Sequence, residues 1–141
     1  GSCAFSDNEL TEVTIPDSVT SIGSYAFSDN ELTEVTIPDS VTSIGNWAFQ
    51  DNNLTNINIP DSVTSIGRNA FSDNKLTEVT IPDNITIESN AFSANEQLRE
   101  IRIGESVKLA LYSFDYNFIQ AYEEHGAGTY KKQEDGSWIK Q

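Results

Sequence analysis

The sequence of 141 residues contains very little cysteine, histidine and positive charge. With one cysteine, Cys3, and one histidine, His125, it cannot form an intrachain disulfide, a Cys/His zinc site or a Cys-His catalytic dyad. Eight Lys and Arg stand against 22 Asp and Glu, and the resulting formal net charge of −14 would repel a nucleic-acid backbone. These absences predict a protein that is not an enzyme and has no cofactor, no metal site and no nucleic-acid partner.

Long apolar runs are absent as well. No stretch of about 18 apolar residues is present, and no basic segment followed by an apolar one begins the chain. Neither insertion into a membrane nor a signal peptide is therefore predicted. Hydrophobic residues make up 37% of the chain, which is enough for the core of one folding unit if they are spaced periodically.

An internal repeat of about 22 residues provides that spacing. Residues 4–23 recur unchanged at residues 26–45, and looser copies continue to residue 114. The most regular column is a phenylalanine, found at Phe5, Phe27, Phe49, Phe71, Phe92 and Phe114. We therefore expect five repeats over residues 1–114 and a C-terminal cap over residues 115–141. Because the chain begins inside a repeat, we also expect it to be part of a longer protein.

Within each repeat, the pattern Leu-x-x-Val-x-Ile predicts a short strand, which the following proline ends. The segment after the proline, residues 18–23 in the first copy, predicts a second short extended piece, and residues 26–30 predict a helical or 3₁₀ turn. One copy has too few apolar residues to offset the cost of ordering its backbone, about 1–2 kcal/mol per residue, so the copies must stack as coils. The last two copies are one residue shorter on the return side, which should leave the strand sheet intact.

The C-terminal segment departs from the repeat. Residues 115–124 predict one short helix, with Asp115 as its N-cap and Gly126 as its stop. The dipeptide Asp135-Gly136 lies between two β-prone segments and predicts a hairpin. Together, the helix and hairpin form a cap that would cover the open end of the last coil.

The pattern L-x-x-V-x-I-P-x-S-V-x-x-I-G-x-x-A-F at residues 32–49 resembles the BspA-like, or Treponema-type, leucine-rich repeats. The resemblance extends over roughly residues 1–114. It implies a right-handed leucine-rich-repeat solenoid, rich in β-structure, with a parallel sheet of its strands on the concave face. It also implies a secreted or cell-surface protein, usually bacterial, with an adhesion or ligand-binding role.

If the apolar residues of each strand point inward, the residues between them form two outward rows on the concave face. We name these rows the polar ladder and predict that they bind the ligand. The polar ladder consists of Glu12, Thr14, Glu34, Thr36, Asn56, Asn58, Glu78, Thr80, Glu100 and Arg102. A third row, Thr11, Thr33, Thr55, Thr77 and Arg99, flanks them.

Two functions fit this surface. The first is a non-enzymatic binding or adhesion module that presents an acidic ladder to a protein or glycan, with Asn56 and Asn58 as the first candidates for polar recognition. The second is a structural spacer or assembly solenoid of a larger surface protein, in which the glutamates only keep the sheet soluble. Mapping the ladder by substitution distinguishes them.

Other polar residues have simpler interpretations. The Asp column of the turns could ligate calcium, but Asp is also an ordinary turn former. Glu123, Glu124 and His125 are predicted to lie on the solvated face and at the end of the cap helix, and Trp47 on the outer surface. The first coil has no coil before it, so its apolar residues predict a further partner, a weak homodimer through this uncapped end.

Overall fold

The computed structural model describes all of residues 1–141, which wind into stacked coils bordered by two sheets. The return sheet contains five parallel strands, β1 (Ser21–Ile22), β2 (Ser43–Ile44), β4 (Ser65–Ile66), β6 (Thr86–Ile87) and β8 (Lys108–Leu109). The main sheet contains three parallel strands, β3 (Asn56–Asn58), β5 (Glu78–Ile81) and β7 (Glu100–Ile103). The antiparallel strands β9 (Gly128–Lys132) and β10 (Trp138–Lys140) continue it, and one helix, α1 (Tyr116–His125), precedes them.

This architecture confirms the predicted solenoid with a parallel sheet, one short helix and a final hairpin. The return segments form strands as expected, and the shortened fourth copy stays in register, with Ser65 opposite Thr86 and Ile66 opposite Ile87. Close stacking on this side requires glycine. A Cβ at Gly45 would lie 2.6 Å from the backbone nitrogen of Ser24.

The prediction of a strand in every copy is wrong for the first two copies. Residues 10–15 and 32–37 form no strand. One coil-to-coil hydrogen bond at these segments is long, with the Thr33 nitrogen 3.5 Å from the Thr11 oxygen, although the Glu31 nitrogen lies 2.9 Å from the Leu10 oxygen. Glu12 and Glu34 also occupy neighbouring positions without an ion-pair partner. Like charges side by side oppose strand pairing.

The prediction of a helical or 3₁₀ turn at residues 26–30 is also wrong. The segment forms hydrogen-bonded turns between two residues with left-handed backbone, Tyr25 at φ 56° and Asp29 at φ 55°. A right-handed helix cannot include such residues. The same pair of positions is left-handed in the following copies, for example at Trp47 and Asp51.

The phenylalanine column forms the centre of the core. Phe49 is fully buried between Phe27 and Phe71, with ring centroids 5.3 Å away on both sides and planes tilted by 10° and 6°. This confirms the predicted stack. At the far end, Phe118 of α1 packs edge-on against Phe114 at 5.2 Å.

A buried asparagine joins each coil to its predecessor, a role that the sequence analysis missed. The Nδ2 of Asn52 donates to the carbonyl oxygens of Phe27 at 2.9 Å and Phe49 at 3.2 Å. Its Oδ1 accepts from the Leu32 N–H at 3.0 Å. The equivalent residues in the other coils are Asn30, Asn74 and Asn95.

The cap helix begins and ends as predicted. Asp115 accepts a hydrogen bond from the Asn117 N–H at 2.9 Å, and Gly126 at φ 70° donates to the Tyr122 carbonyl. The hairpin does more than cover the last coil, because β9 pairs with β7 and extends the main sheet.

Candidate functional site

Six residues of the polar ladder lie side by side on the main sheet. The register places Glu78 between Asn56 and Glu100, and Thr80 between Asn58 and Arg102. The residues between them in sequence, Ile57, Val79 and Ile101, are buried. The alternation predicted for these three strands is therefore confirmed, and the six polar side chains share the outer face.

The other four residues of the polar ladder surround a groove between the first two coils. The groove has a volume of about 670 Å³, and Glu12, Thr14, Glu34 and Thr36 all line it. Asp17 adds a third carboxylate. Because these segments form no strands, this part of the surface is an open depression and not a continuation of the sheet.

The charge of the outer face of the main sheet changes at β7, its last parallel strand. Glu100 accepts hydrogen bonds from Arg102 at 2.8 Å and 3.0 Å, and the Lys131 ammonium lies 3.6 Å from its second oxygen. The hydrogen bond from Arg102 is the main cause that lowers the pKa of Glu100. Glu100 is thus held ionised beside two cations, whereas Glu12 and Glu34 have no ion-pair partner.

Two residues on this face were missed by the sequence analysis. Lys131 lies opposite Glu100, and Thr129 lies opposite Arg102, on the antiparallel strand β9. Residues 128–132 are predicted as one arm of the C-terminal hairpin, but nothing in the sequence showed that the neighbour of this arm would be β7. The face therefore continues beyond the repeats into the cap.

Charge is distributed unevenly along the solenoid. All eight Lys and Arg lie at or after Arg68, whereas the first 67 residues carry ten Asp and Glu. The groove of the first two coils is consequently surrounded by uncompensated carboxylates. The main sheet at the other end combines acids with Arg102 and Lys131.

The remaining candidates do not join this surface. Trp47 is half-buried and stacks on Tyr25, with ring centroids 4.9 Å apart. Cys3 is exposed. Glu124 and His125 are exposed at the end of α1, where the Nε2 of His125 lies 3.9 Å from the Oε2 of Glu124. No group of three or more His, Cys, Asp or Glu side chains is arranged to hold a metal ion.

The stacked coils and their repeating columns agree with a known family. The family described as BspA type leucine rich repeat region matches residues 1–120, in six copies. The chain belongs to this family. Proteins of this leucine-rich repeat family are generally non-enzymatic repeat proteins with structural or binding roles, and BspA-type members are commonly secreted or found at the cell surface. The match to six copies does not test the division into five repeats and a cap starting at residue 115, which stays a prediction.

Among solved structures, this leucine-rich repeat chain is similar to a leucine-rich repeat protein from Bacteroides ovatus ATCC 8483, determined at 1.19 Å resolution. The sequence identity is 22% and the TM-score 0.48, over 72% of this chain. The match spans 37% of the Bacteroides protein. No curated protein matches the chain. None of its helices has the length and apolar character that a membrane crossing requires.

Proposed function

We propose that this leucine-rich repeat chain is a binding module that presents the polar ladder to a partner outside or on the surface of the cell. The observation that carries the proposal is the shared outward face of Asn56, Glu78, Glu100 and their neighbours in register. Regular rows of polar side chains on a rigid sheet provide many positions for hydrogen bonds without a need to order the backbone on binding.

The charge distribution favours a partner that carries basic groups. The groove lined by Glu12 and Glu34 has no cation beside it, so a basic protein surface would be attracted there at low ionic strength. A glycan remains the second type of ligand, with Asn56 and Asn58 as its hydrogen-bonding partners. The alternative function is a structural spacer or assembly solenoid, in which the polar ladder binds nothing.

Protein and glycan arrays probed with the whole chain test this proposal. A binder found on the arrays is then measured against Glu12→Gln/Glu34→Gln, which removes two charges from the groove. The matched control is Glu88→Gln/Glu105→Gln, which removes two exposed charges away from the main sheet.

We expect the groove variant to lose affinity, with a loss that shrinks as salt rises, and the control variant to bind normally. No binder on either array would instead favour the spacer function, and equal affinity of both variants would place the binding surface outside the groove.

A further inference from the structure

A cleft of about 440 Å³ opens where the cap departs from the last coil. It lies apart from the polar ladder and shares no residue with it. Its lining combines the turn of the fifth copy, including Ala94 and Asn95, with Phe114 at the end of the phenylalanine column and with Tyr116 and Trp138 of the cap. A volume in this range is typical of ligand pockets.

The cleft exists because a regular series of backbone hydrogen bonds stops there. On this corner of the solenoid, the N–H of one coil donates to the carbonyl oxygen of the next, as from Asp73 to Ser93 at 3.1 Å. The next donor, the Ala94 N–H, has no acceptor. The carbonyl of Asp115, which would follow in the series, instead accepts from the Ile119 N–H in the first turn of α1.

The Asn95 N–H, adjacent in the chain, is also unpaired, as is the equivalent Asn74 N–H of the preceding coil, whereas Asn52 donates to the Asp73 carbonyl at 3.3 Å. Two successive amide donors at the cleft are therefore without an acceptor. In the four preceding coils, the amide equivalent to that of Ala94 donates to a peptide carbonyl oxygen. Unpaired amides of this kind are costly to bury and gain from an added peptide segment.

Ala94 at the cleft replaces a residue that recurs in the other coils, and this replacement favours the binding of a peptide segment. The left-handed position occupied by Ala94, at φ 54°, is an aspartate in the four preceding coils: Asp7, Asp29, Asp51 and Asp73. Aspartate tolerates this backbone conformation better than alanine. Ala94 thus keeps the strained backbone but removes the carboxylate that would repel a carbonyl oxygen.

Aromatic side chains surround the same place. Tyr112 and Tyr116 are 65% and 62% exposed at the rim. Trp138 is only 6% exposed, and although its indole lies beside Asp115, its Nε1–H makes no hydrogen bond. The Asp115 carboxylate pairs with Lys132 at 2.7 Å, so Glu96 is the one charged group of the lining without an ion-pair partner, and its charge would repel an acidic ligand.

We propose that this cleft binds a short extended peptide of a partner protein, one that carries an apolar side chain and no acidic residue. The peptide carbonyls accept hydrogen bonds from the Ala94 and Asn95 amides, in the place of a further coil. The apolar side chain packs against Tyr112 and Tyr116. Binding of this type takes affinity from main-chain hydrogen bonds and specificity from the side-chain pocket.

The test uses the whole chain and acetylated, amidated pentapeptides with Leu, Phe or Glu at the centre. We expect the Leu or Phe peptide to shift the NMR signals of the Ala94 and Asn95 amides saturably, and the Glu peptide to have no effect. Ala94→Asp restores the residue of the other coils, so it should keep the melting temperature and weaken binding about tenfold or more.

Tyr112→Asn provides a second variant, since asparagine occupies the equivalent left-handed positions Asn69 and Asn90. It too should weaken binding. The matched controls Asp51→Ala and Tyr25→Asn make comparable changes far from the cleft and should bind normally.

Several results would overturn the proposal. One is the absence of any amide shift at peptide concentrations up to about 10 mM, a range that includes very weak complexes. Another is full affinity in both cleft variants. A third is a shift of the same amides by chitooligosaccharides and by no peptide, which would make the cleft a glycan site.

Discussion

The Nδ2 of Asn52 donates to the carbonyl oxygen of Phe27 at 2.9 Å, across the boundary between two coils. Asn52→Ala would leave the Leu32 N–H buried without a partner and would remove one of the two donors of the Phe27 carbonyl, which also accepts from Asn30 at 3.2 Å. We expect a loss of about 2–4 kcal/mol in the free energy of unfolding, measured by urea denaturation.

Asn8 provides the control for this change, because it is exposed and its side-chain amide bonds only to Phe5 and Ser6 within its own turn. Asn8→Ala should cost less than about 1 kcal/mol. Equal losses at both positions would contradict the role of asparagine as a link between coils.

The phenylalanine stack allows a second comparison. Phe49 is fully buried between two rings, whereas Phe5 is 51% exposed at the end of the column. We expect Phe49→Ala to cost about 3–5 kcal/mol and Phe5→Ala less than about 1 kcal/mol. Denaturant midpoints and slopes measure both, and a mild Phe49 variant would show that the column contributes little.

The Asp column predicts a stabilising substitution. Partial burial, followed by repulsion from Asp73 and Asp29, raises the pKa of Asp51. A raised folded-state pKa means that stability falls as pH rises from the unfolded value of 3.8 through the folded pKa, and the penalty persists at neutral pH. Asp51→Asn keeps a residue suited to left-handed backbone and should add up to about 0.5 kcal/mol at pH 7, because solvent screens the charges.

This gain should vanish in acid, where Asp51 is protonated. Thermal unfolding of both proteins between pH 3 and pH 7 checks the prediction. An increase in the stability difference between Asp51→Asn and the unchanged protein as the pH falls would contradict the prediction.

Acid should have the opposite effect on the cap, whose stability should fall as the pH falls. Burial raises the pKa of Asp115, but hydrogen bonds from Lys132 and from the Asn117 N–H outweigh it, so the pKa is lowered overall. The stability contributed by Asp115 is therefore present above pH 3.8 and lost as pH falls through its lower folded pKa.

We expect Asp115→Ala, which removes both the N-cap and the ion pair, to cost about 1–3 kcal/mol at pH 7. Asp115→Asn keeps the capping oxygen and should cost less. Circular dichroism during urea denaturation measures both, and identical costs would assign the whole effect to the ion pair.

Self-association through the first coil is a further expectation. Phe5 is exposed, Val13 and Val19 are half-buried, and all three line an apolar depression of about 310 Å³. Glu12 and Asp17 oppose contact between two such surfaces, so a homodimer should be weak and should strengthen with salt. Light scattering over a dilution series, with Cys3 kept reduced, tests this, and a strict monomer at about 1 mM chain would contradict it.

Much of the fold was predictable because the same apolar positions recur every 22 residues or so in the sequence. A recurrence of this kind leaves stacking as the way to bury each column, and it predicted the return strands and the phenylalanine stack. The helix and the hairpin have local signals, the cap at Asp115, the stop at Gly126 and the turn at Asp135-Gly136. The alternation of Asn56–Asn58 and Glu78–Ile81 likewise predicted which side chains point outward.

The tertiary structure alone decided where the main sheet forms. The tetrapeptide Glu-Val-Thr-Ile occurs at residues 12–15, 34–37 and 78–81, and only the last is a strand. Glu78 lies between the uncharged Asn56 and Glu100, whose charge Arg102 and Lys131 balance, so pairing is possible on both sides. In the first two coils, the same tetrapeptides lie beside each other, so that Glu12 faces Glu34. These two segments form no strands.

The cleft beside the cap also depends on distant neighbours. The sequence shows Ala94 in place of a repeated aspartate, but not that the carbonyl opposite its amide is taken by α1. Nor does it show that the hairpin joins β7 and brings Lys131 to the polar ladder. The repeat pattern determines which side chains point into a coil. Unpaired hydrogen-bonding groups and the balance of charges depend instead on which segment of the same chain packs beside that coil.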